Sequence, residues 1–264
     1  MNNSARDRVI VMKQQQTAAV TGAARHPFVE KLNRYTVLCN EEQATLSSLL
    51  ARARTIHRGR DIVVQGRPHQ ALQVLNDGLA LRYKILADGK RQILNLVVPG
   101  DLIGLPACMF ESAIATVSSL TDISVSTIEY KDLFALFHRH PRVAIALFWT
   151  SAREGGVYIE RLTTIGRRTA YERLAHLILE LLFRLRAVGL AGPASFEMPL
   201  TQEMLGDMLG LSLQHVNRMI RNLREEGLAS VEVHKVTIHD MDALVRLAGF
   251  EEIYLSQARI PGLA

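Results

Sequence analysis

The chain has 264 residues, 48% of them hydrophobic and 22% charged, with a formal net charge of +5 and a pI of about 9.4. That length accommodates two modest domains, at about 100–200 residues each, and no apolar run approaches the ~18 residues that a membrane span needs. The cationic excess permits association with nucleic acid without specifying a fold. Cys39 and Cys108 are too few and too far apart to hold an iron–sulfur cluster or a structural zinc alone.

Residues 1–27 carry the Gln14-Gln15-Gln16 run and scattered arginines without sustained periodicity, and read as a flexible tail ending at Pro27. They contain no apolar h-region, so the expected setting is the cytoplasm. From 28 to 50 the spacing of Phe28, Leu32, Leu46, Leu49 and Leu50 is helical. From 55 to 130 short β-prone runs follow one another: Ile62–Val64, Leu72–Leu75, Leu79–Tyr83, Ile93–Val98, Ala115–Val117 and Ile123–Ile128. Asp77-Gly78, Asp88-Gly89 and Pro99-Gly100-Asp101 punctuate them, and Asp-Gly pairs between strands mark hairpins because tight turns need positive φ. This rhythm predicts an antiparallel barrel or sandwich.

The texture after Tyr130 is helical. Lys131 to His140 forms a short helix stopped by Pro141, and Arg142 to Ile165 a long one. Along the latter, Ile145, Trp149, Ala152, Gly156, Ile159, Thr163 and Gly166 alternate at spacings of four and three, the rhythm of a helix packed on a partner helix. The seam fits a symmetric dimer or an intramolecular face, and Gly155-Gly156 allows a kink. Tyr171 to Arg186 is amphipathic, with a stripe from Leu174 to Leu185, and Ala187 to Ser195 reads as a loop.

The most specific stretch is Leu200 to Ile238. Thr201 caps a helix with Met204, Leu205, Met208 and Leu209 inward; Gly210-Leu211 turns; Ser212 caps a second helix with Val216, Met219, Ile220 and Leu223 inward. The second helix presents Gln214, Asn217, Arg218, Arg221 and Arg224 outward, which makes a DNA-binding helix-turn-helix. Val231–Val233 and Val236–Ile238 look like the two strands of a wing. Arg218 suits the O6 and N7 edge of guanine, and Gln214 and Asn217 suit adenine. Thr201, Gln202, Ser212 and Arg221 are placed to hold phosphate. Acidic residues outnumber basic ones over 200–246, but the arginines gather on the second helix. The chain has no P-loop, no Gly-x-Ser-x-Gly elbow, no His-Glu-x-x-His and no dinucleotide fingerprint, so neither an enzyme nor a cofactor is expected.

Taken together, residues 28–248 resemble the Crp/Fnr family of transcription regulators. The sharpest points are Pro99-Gly100-Asp101-Leu102-Ile103-Gly104, Leu209-Gly210-Leu211-Ser212 with Val216-Asn217-Arg218, and Asp242-Ala243-Leu244 with Leu247-Ala248-Gly249, the last being similar to the Fnr-like branch. The resemblance implies an α+β fold: a 1–27 tail, a β-roll of the cyclic-nucleotide-binding type over 28–140, a dimerisation helix over 141–168, a winged helix-turn-helix over 169–249 and a 250–264 tail. It also implies a homodimer on a pseudo-palindromic operator in double-stranded DNA, with RNA polymerase as a partner. Positions 214, 217 and 218 match the base-reading trio, where Fnr-like members usually carry Glu-x-x-Ser-Arg. Gln214 both donates and accepts, so the half-site need not be the usual one. Cyclic-AMP-binding members carry Gly-Glu-Leu and then Arg-Ser; here Gly104-Leu105-Pro106 and Ala115-Thr116 stand instead, and control by cyclic AMP is not expected. The iron–sulfur cysteine set is absent. His57, His69 and His138 are surface or hydrogen-bonded histidines on this reading, not haem ligands. A roll answering to another ligand or a redox signal, or a reader that contacts a protein partner, remains open.

Overall fold

The computed structural model describes residues 26–105 and 110–256. Residues 1–25 of the expected 1–27 tail, Cys108, and residues 257–264 of the expected 250–264 tail lie outside the described residues. Pro27 already begins a helix, and Phe250 and the turn at Glu252–Leu255 pack on the fold instead of forming a tail. The helical stretch expected over 28–50 is two helices, α1 (Pro27–Tyr35) and α2 (Asn40–Leu50). Side chains interrupt it: the Leu38 N–H donates to Asn33 Oδ1 at 3.1 Å and the Cys39 N–H to Glu42 Oε2 at 2.8 Å, the latter half of a capping box.

The strands that follow are β1 (Ala53–Ile56), β2 (Asp61–Val63), β3 (Ala71–Asp77), β4 (Ala80–Ile85), β5 (Arg91–Val97), β6 (Leu102–Ile103), β7 (Thr116–Ser119) and β8 (Ile123–Glu129). They form two antiparallel four-stranded sheets, ordered β1-β8-β3-β6 and β2-β7-β4-β5. Val63, Leu75, Val97, Ile103, Val117 and Val125 meet between the sheets, which makes the expected β-roll. Both Asp-Gly pairs turn as predicted, with φ of 80° at Gly78 and 83° at Gly89. A Cβ at Gly78 would stand 2.3 Å from the Asp122 carbonyl oxygen, so only glycine fits there.

Three helices follow: α3 (Tyr130–Arg139), α4 (Pro141–Arg167) and α5 (Ala170–Ala187). Pro141 sits in the first turn of α4, where its missing N–H costs nothing. The helix runs unbroken through Gly155-Gly156. One face of α4 buries Val143, Ala146 and Leu147 against α1 and α3, and Val157, Arg161 and Thr164 are also buried. Of the predicted seam, Ile145, Ala152, Ile159, Thr163 and Gly166 are exposed, with Phe148 and Leu162 exposed beside them. Trp149 is half-buried, and Gly156 lies against Tyr254 of a short 3₁₀ turn (Glu252–Leu255).

An alternating chain of charges ties these pieces together. Lys31 Nζ of α1 lies 2.5 Å from Asp101 Oδ1, Arg184 of α5 reaches Asp101 Oδ2 at 3.2 Å, and the Val98 N–H donates to the same oxygen at 3.0 Å. Arg184 also lies 3.6 Å from Glu180, whose Oε1 accepts from buried Arg161 of α4 at 2.9 Å. A second link fixes the roll to α4: the buried Arg82 guanidinium donates to Glu154, to the Tyr158 hydroxyl at 2.6 Å and to the Leu102 carbonyl at 3.0 Å.

The remaining elements are β9 (Ser195–Glu197), α6 (Gln202–Leu209), α7 (Leu213–Glu225), β10 (Ala229–Glu232), β11 (Lys235–Ile238) and α8 (Met241–Ala248). The wing has three strands rather than two, because Phe196 of β9 pairs with Val236. Between α6 and α7 the Leu211 N–H donates to the Gly206 carbonyl at 3.1 Å, and a Cβ at Gly206 would lie 2.6 Å from the Leu211 oxygen. This close approach is what lets the two helices meet at their angle. The helix pair is not suspended in solvent: Leu81, Ile93 and Leu96 of the roll share one apolar cluster with Met208 and Leu209 of α6. Arg91–Asp207 at 2.7 Å and a Gln92 side-chain donation to the Met208 carbonyl at 3.3 Å frame that contact.

Two stability outcomes are expected. His176 is 1% exposed between the Phe250 and Tyr254 rings. Glu160 lies 3.2 Å away but is already held by Arg168 at 2.6 Å. Burial, with Arg168 and Arg161 nearby, pushes the imidazole down to about 3 from its ordinary 6.5. Unfolded chains therefore bind a proton that the fold refuses. Stability is full above pH 6.5 and falls toward pH 3, by up to about 1.4 kcal/mol per pH unit. His176→Leu is expected to flatten this slope in urea midpoints between pH 6.5 and 5; an unchanged slope would mean that His176 does not cause it. Gly206→Ala is expected to lose about 1–3 kcal/mol through overpacking, measured by denaturant unfolding, and a neutral result would show that the helix pair relaxes freely.

Candidate nucleic-acid interface

The helix pair is built from its caps outward. The Thr201 hydroxyl accepts from the Met204 N–H at 3.2 Å and starts α6; Gly210, left-handed at φ 65°, ends it. The Ser212 hydroxyl then accepts from the His215 N–H at 3.4 Å and starts α7. Val216, Met219 and Leu223 are buried with Leu205, Met208 and Leu209, which forces the opposite side of α7 outward. Gln214, Asn217 and Arg218 are all exposed on that side, at i, i+3 and i+4, with Arg221 one turn on. Among the described residues neither Arg218 nor Arg221 makes an ion pair, so both guanidinium heads stand available to an anion.

Three of the four predicted phosphate-contacting residues fall at the two helix starts, and the fourth, Arg221, lies in the second half of α7. Thr201 and Gln202 are exposed at the start of α6, and Ser212 at the start of α7, where unpaired N–H groups and the helix dipole favour anions. The structure adds His215, which the sequence reading passed over. It is exposed in the first turn of α7, with Nδ1 2.9 Å from Ser212 Oγ, and its place directly after Gln214 was the available signal. The wing tip is exposed too: Val233 is open to solvent, and His234 turns at φ 64° ahead of Lys235.

Among the described residues, the two segments of the roll where a cyclic nucleotide's partners are expected carry no such polar groups. Leu105 packs against the apolar cluster of α1 and α2, and the buried Thr116 hydroxyl accepts from the Gln65 N–H at 3.1 Å. Neither supplies a carboxylate for a ribose or a cation for a cyclic phosphate. Arg82, the buried cation of the roll, already has Glu154 as counter-ion. The residues present do not fit that ligand. His57, His69 and His138 lie on separate segments, before β2, before β3 and on α3.

The sequence model of the Crp-like helix-turn-helix domain matches residues 172–247, and that of the cyclic nucleotide-binding domain matches residues 53–140. The transcriptional activator protein FnrL of Cereibacter sphaeroides is 28% identical over 224 residues, 82% of this chain and 89% of that protein. The anaerobic regulatory protein of Pasteurella multocida is 27% identical over 212 residues, covering 80% of this chain and 77% of the relative. Among solved structures, FixK2 from Bradyrhizobium japonicum superposes with a TM-score of 0.67 at 26% identity, over 74% of this chain and 96% of the other. The two domain matches fall, in the same order, on the roll and on the capped helix pair with its wing, and the chain belongs to the Crp/Fnr family of transcription regulators.

Proposed function

We propose that the protein acts in the cytoplasm as a homodimer that reads a pseudo-palindromic operator in double-stranded DNA, one α7 in the major groove of each half-site. The observation that carries this reading is the exposed, unpaired polar face of α7. Arg218 contacts guanine bidentately, while Gln214 and Asn217 match the donor and acceptor of adenine. Thr201, Gln202, Ser212 and Arg221 hold phosphates and fix the register, joined by His215. In this division of labour the roll over 28–140 is the sensor-like part, α4 over 141–168 the dimerisation helix, and 169–249 the reader.

The uncovered stripe of α4 supports the homodimer. Ile145, Phe148, Ala152, Gly155, Ile159, Leu162 and Gly166 alternate three and four apart, as a two-helix seam requires. Nothing lies within 4 Å of where a Cβ would stand at Gly155 or Gly166, so a second helix can approach closely there. A dimer reading two half-sites one turn of DNA apart requires its α7 helices about 34–36 Å apart. Control is exerted without cyclic AMP, since the roll lacks the polar partners for it. Catalysis forms no part of the role. FnrL of Cereibacter sphaeroides is a transcriptional activator, and this chain acts likewise through contact with RNA polymerase.

Arg218→Ala is expected to lose about 1–3 kcal/mol of base discrimination while keeping weak, salt-sensitive binding. Selection from a random DNA pool checks this, and equal enrichment of the same motif by both proteins would refute the role of Arg218. The pair Ile159→Glu and Leu162→Glu, both exposed in the single chain, is expected to yield monomers by sedimentation. A dimer that survives both charges would exclude α4 as the interface.

A further inference from the structure

A cavity of about 1270 Å³ opens where α1, the β5–β6 turn, α4, the end of α5 and the 3₁₀ turn converge. It lies away from the face of α7 and from the Leu105 and Thr116 region of the roll, none of which lines it. Four guanidinium groups from three helices line it: Arg34 of α1, Arg153 of α4, and Arg184 and Arg186 of α5. Arg34 is anchored by donation to the Ala187 carbonyl. Arg153 lies over the Tyr35 ring, 5.1 Å from its centre, and Arg186 over Phe183 at 5.9 Å.

The charge arrangement around the cavity is uneven. Lys31, Arg184 and Asp101 neutralise one another within the charge chain, and Glu154 is taken by Arg82. The other lining carboxylates, Glu30, Asp77 and Glu252, are exposed, whereas Arg34, Arg153 and Arg186 are half-buried. Among the described residues neither Arg153 nor Arg186 makes an ion pair. Burial of Arg153 disfavours its charge, with the Tyr35 hydroxyl as its only offset. Among the described residues its one hydrogen bond is a 3.5 Å donation to the Tyr254 carbonyl. Desolvated guanidinium groups against aromatic walls, with no carboxylate to meet them, make a receptor for an anion on an apolar body.

We propose that this cavity binds a small organic anion, a flat apolar body bearing a phosphate, carboxylate or sulfonate group, held by Arg153 and Arg186. Such a ligand bridges α4 to α5, the first helix of the reader, and so acts as an effector. That last role rests on the DNA-reading proposal; the binding itself does not and is tested without DNA.

The probe is 8-anilinonaphthalene-1-sulfonate, compared with N-phenyl-1-naphthylamine, which has the same rings without the charge. Fluorescence titration of the full chain is expected to show the anion binding more tightly than the neutral compound. The double variant Arg153→Met, Arg186→Met keeps the apolar stems and is expected to weaken the anion at least tenfold while leaving the neutral probe within twofold. Should that variant lose the wild-type circular dichroism, Ser151→Trp, which keeps both arginines and fills the cavity wall, is expected to weaken both probes. The proposal is overturned by equal affinity of the two probes for the wild type, by anion binding indifferent to loss of the arginines, by loss of both probes alike in a folded double variant, or by wild-type binding of both in Ser151→Trp.

Discussion

The chain of charges from Lys31 through Asp101, Arg184 and Glu180 to Arg161 holds the molecule's parts in register. Each carboxylate in it has a cation on either side, which is what makes burial tolerable: one buried charge without its partner is strongly disfavoured. Burial alone would raise the Asp101 carboxyl, but Lys31 and Arg184 hold it below the usual carboxylate range. The chain crosses α1, the turn of the roll, α5 and α4 in that order. Because α5 packs directly on α7, the position of the DNA-facing side chains is referred back to a single carboxylate in the Pro99-Gly100-Asp101 turn. The turn residue that carries the family resemblance is thus also the one that joins roll to reader.

Much of this was legible in the sequence, for identifiable reasons. Asp-Gly pairs located the hairpins because their φ requirement is local. Thr201, Gly210 and Ser212 located the helix pair because capping is local too. The seam of α4 was harder. Two stripes with the same three-and-four rhythm share Ile145, Ala152, Ile159 and Gly166, and differ only in whether Trp149 or Phe148, Gly156 or Gly155, Thr163 or Leu162 completes the set. Tyr254, distant in sequence, lies against Gly156, while Phe148 and Leu162 are open to solvent, and only the fold reveals this difference between the stripes. The short strands β1, β6 and β9 carry too few residues for an alternation to show. Arg161, His176 and Glu180 fit the polar side of an amphipathic pattern, and only the fold reveals them as buried.

The roll carries its own electrostatic solution. Arg82 brings a charge into the interior and finds Glu154 and Tyr158 on α4, so the polar centre of that unit is satisfied by the chain itself. Among the described residues, two half-buried cations without an ion-pair partner, Arg153 of α4 and Arg186 of α5, lie elsewhere. Polar demand has been moved from the inside of the roll to the seam between the units, which is where a change of state has the most leverage over the reader.

The apolar cluster shared by the roll and the helix pair sets an energy scale for hinge motion. Swinging α6 off β5 would expose Leu81, Ile93, Leu96, Met208 and Leu209 to water. At about 1.5–3 kcal/mol per side chain the cost is roughly 10 kcal/mol, comparable to the whole stability of an ordinary domain. The two units are in this sense coupled through a shared interior, and the reader taken alone is a molecule with part of that interior missing.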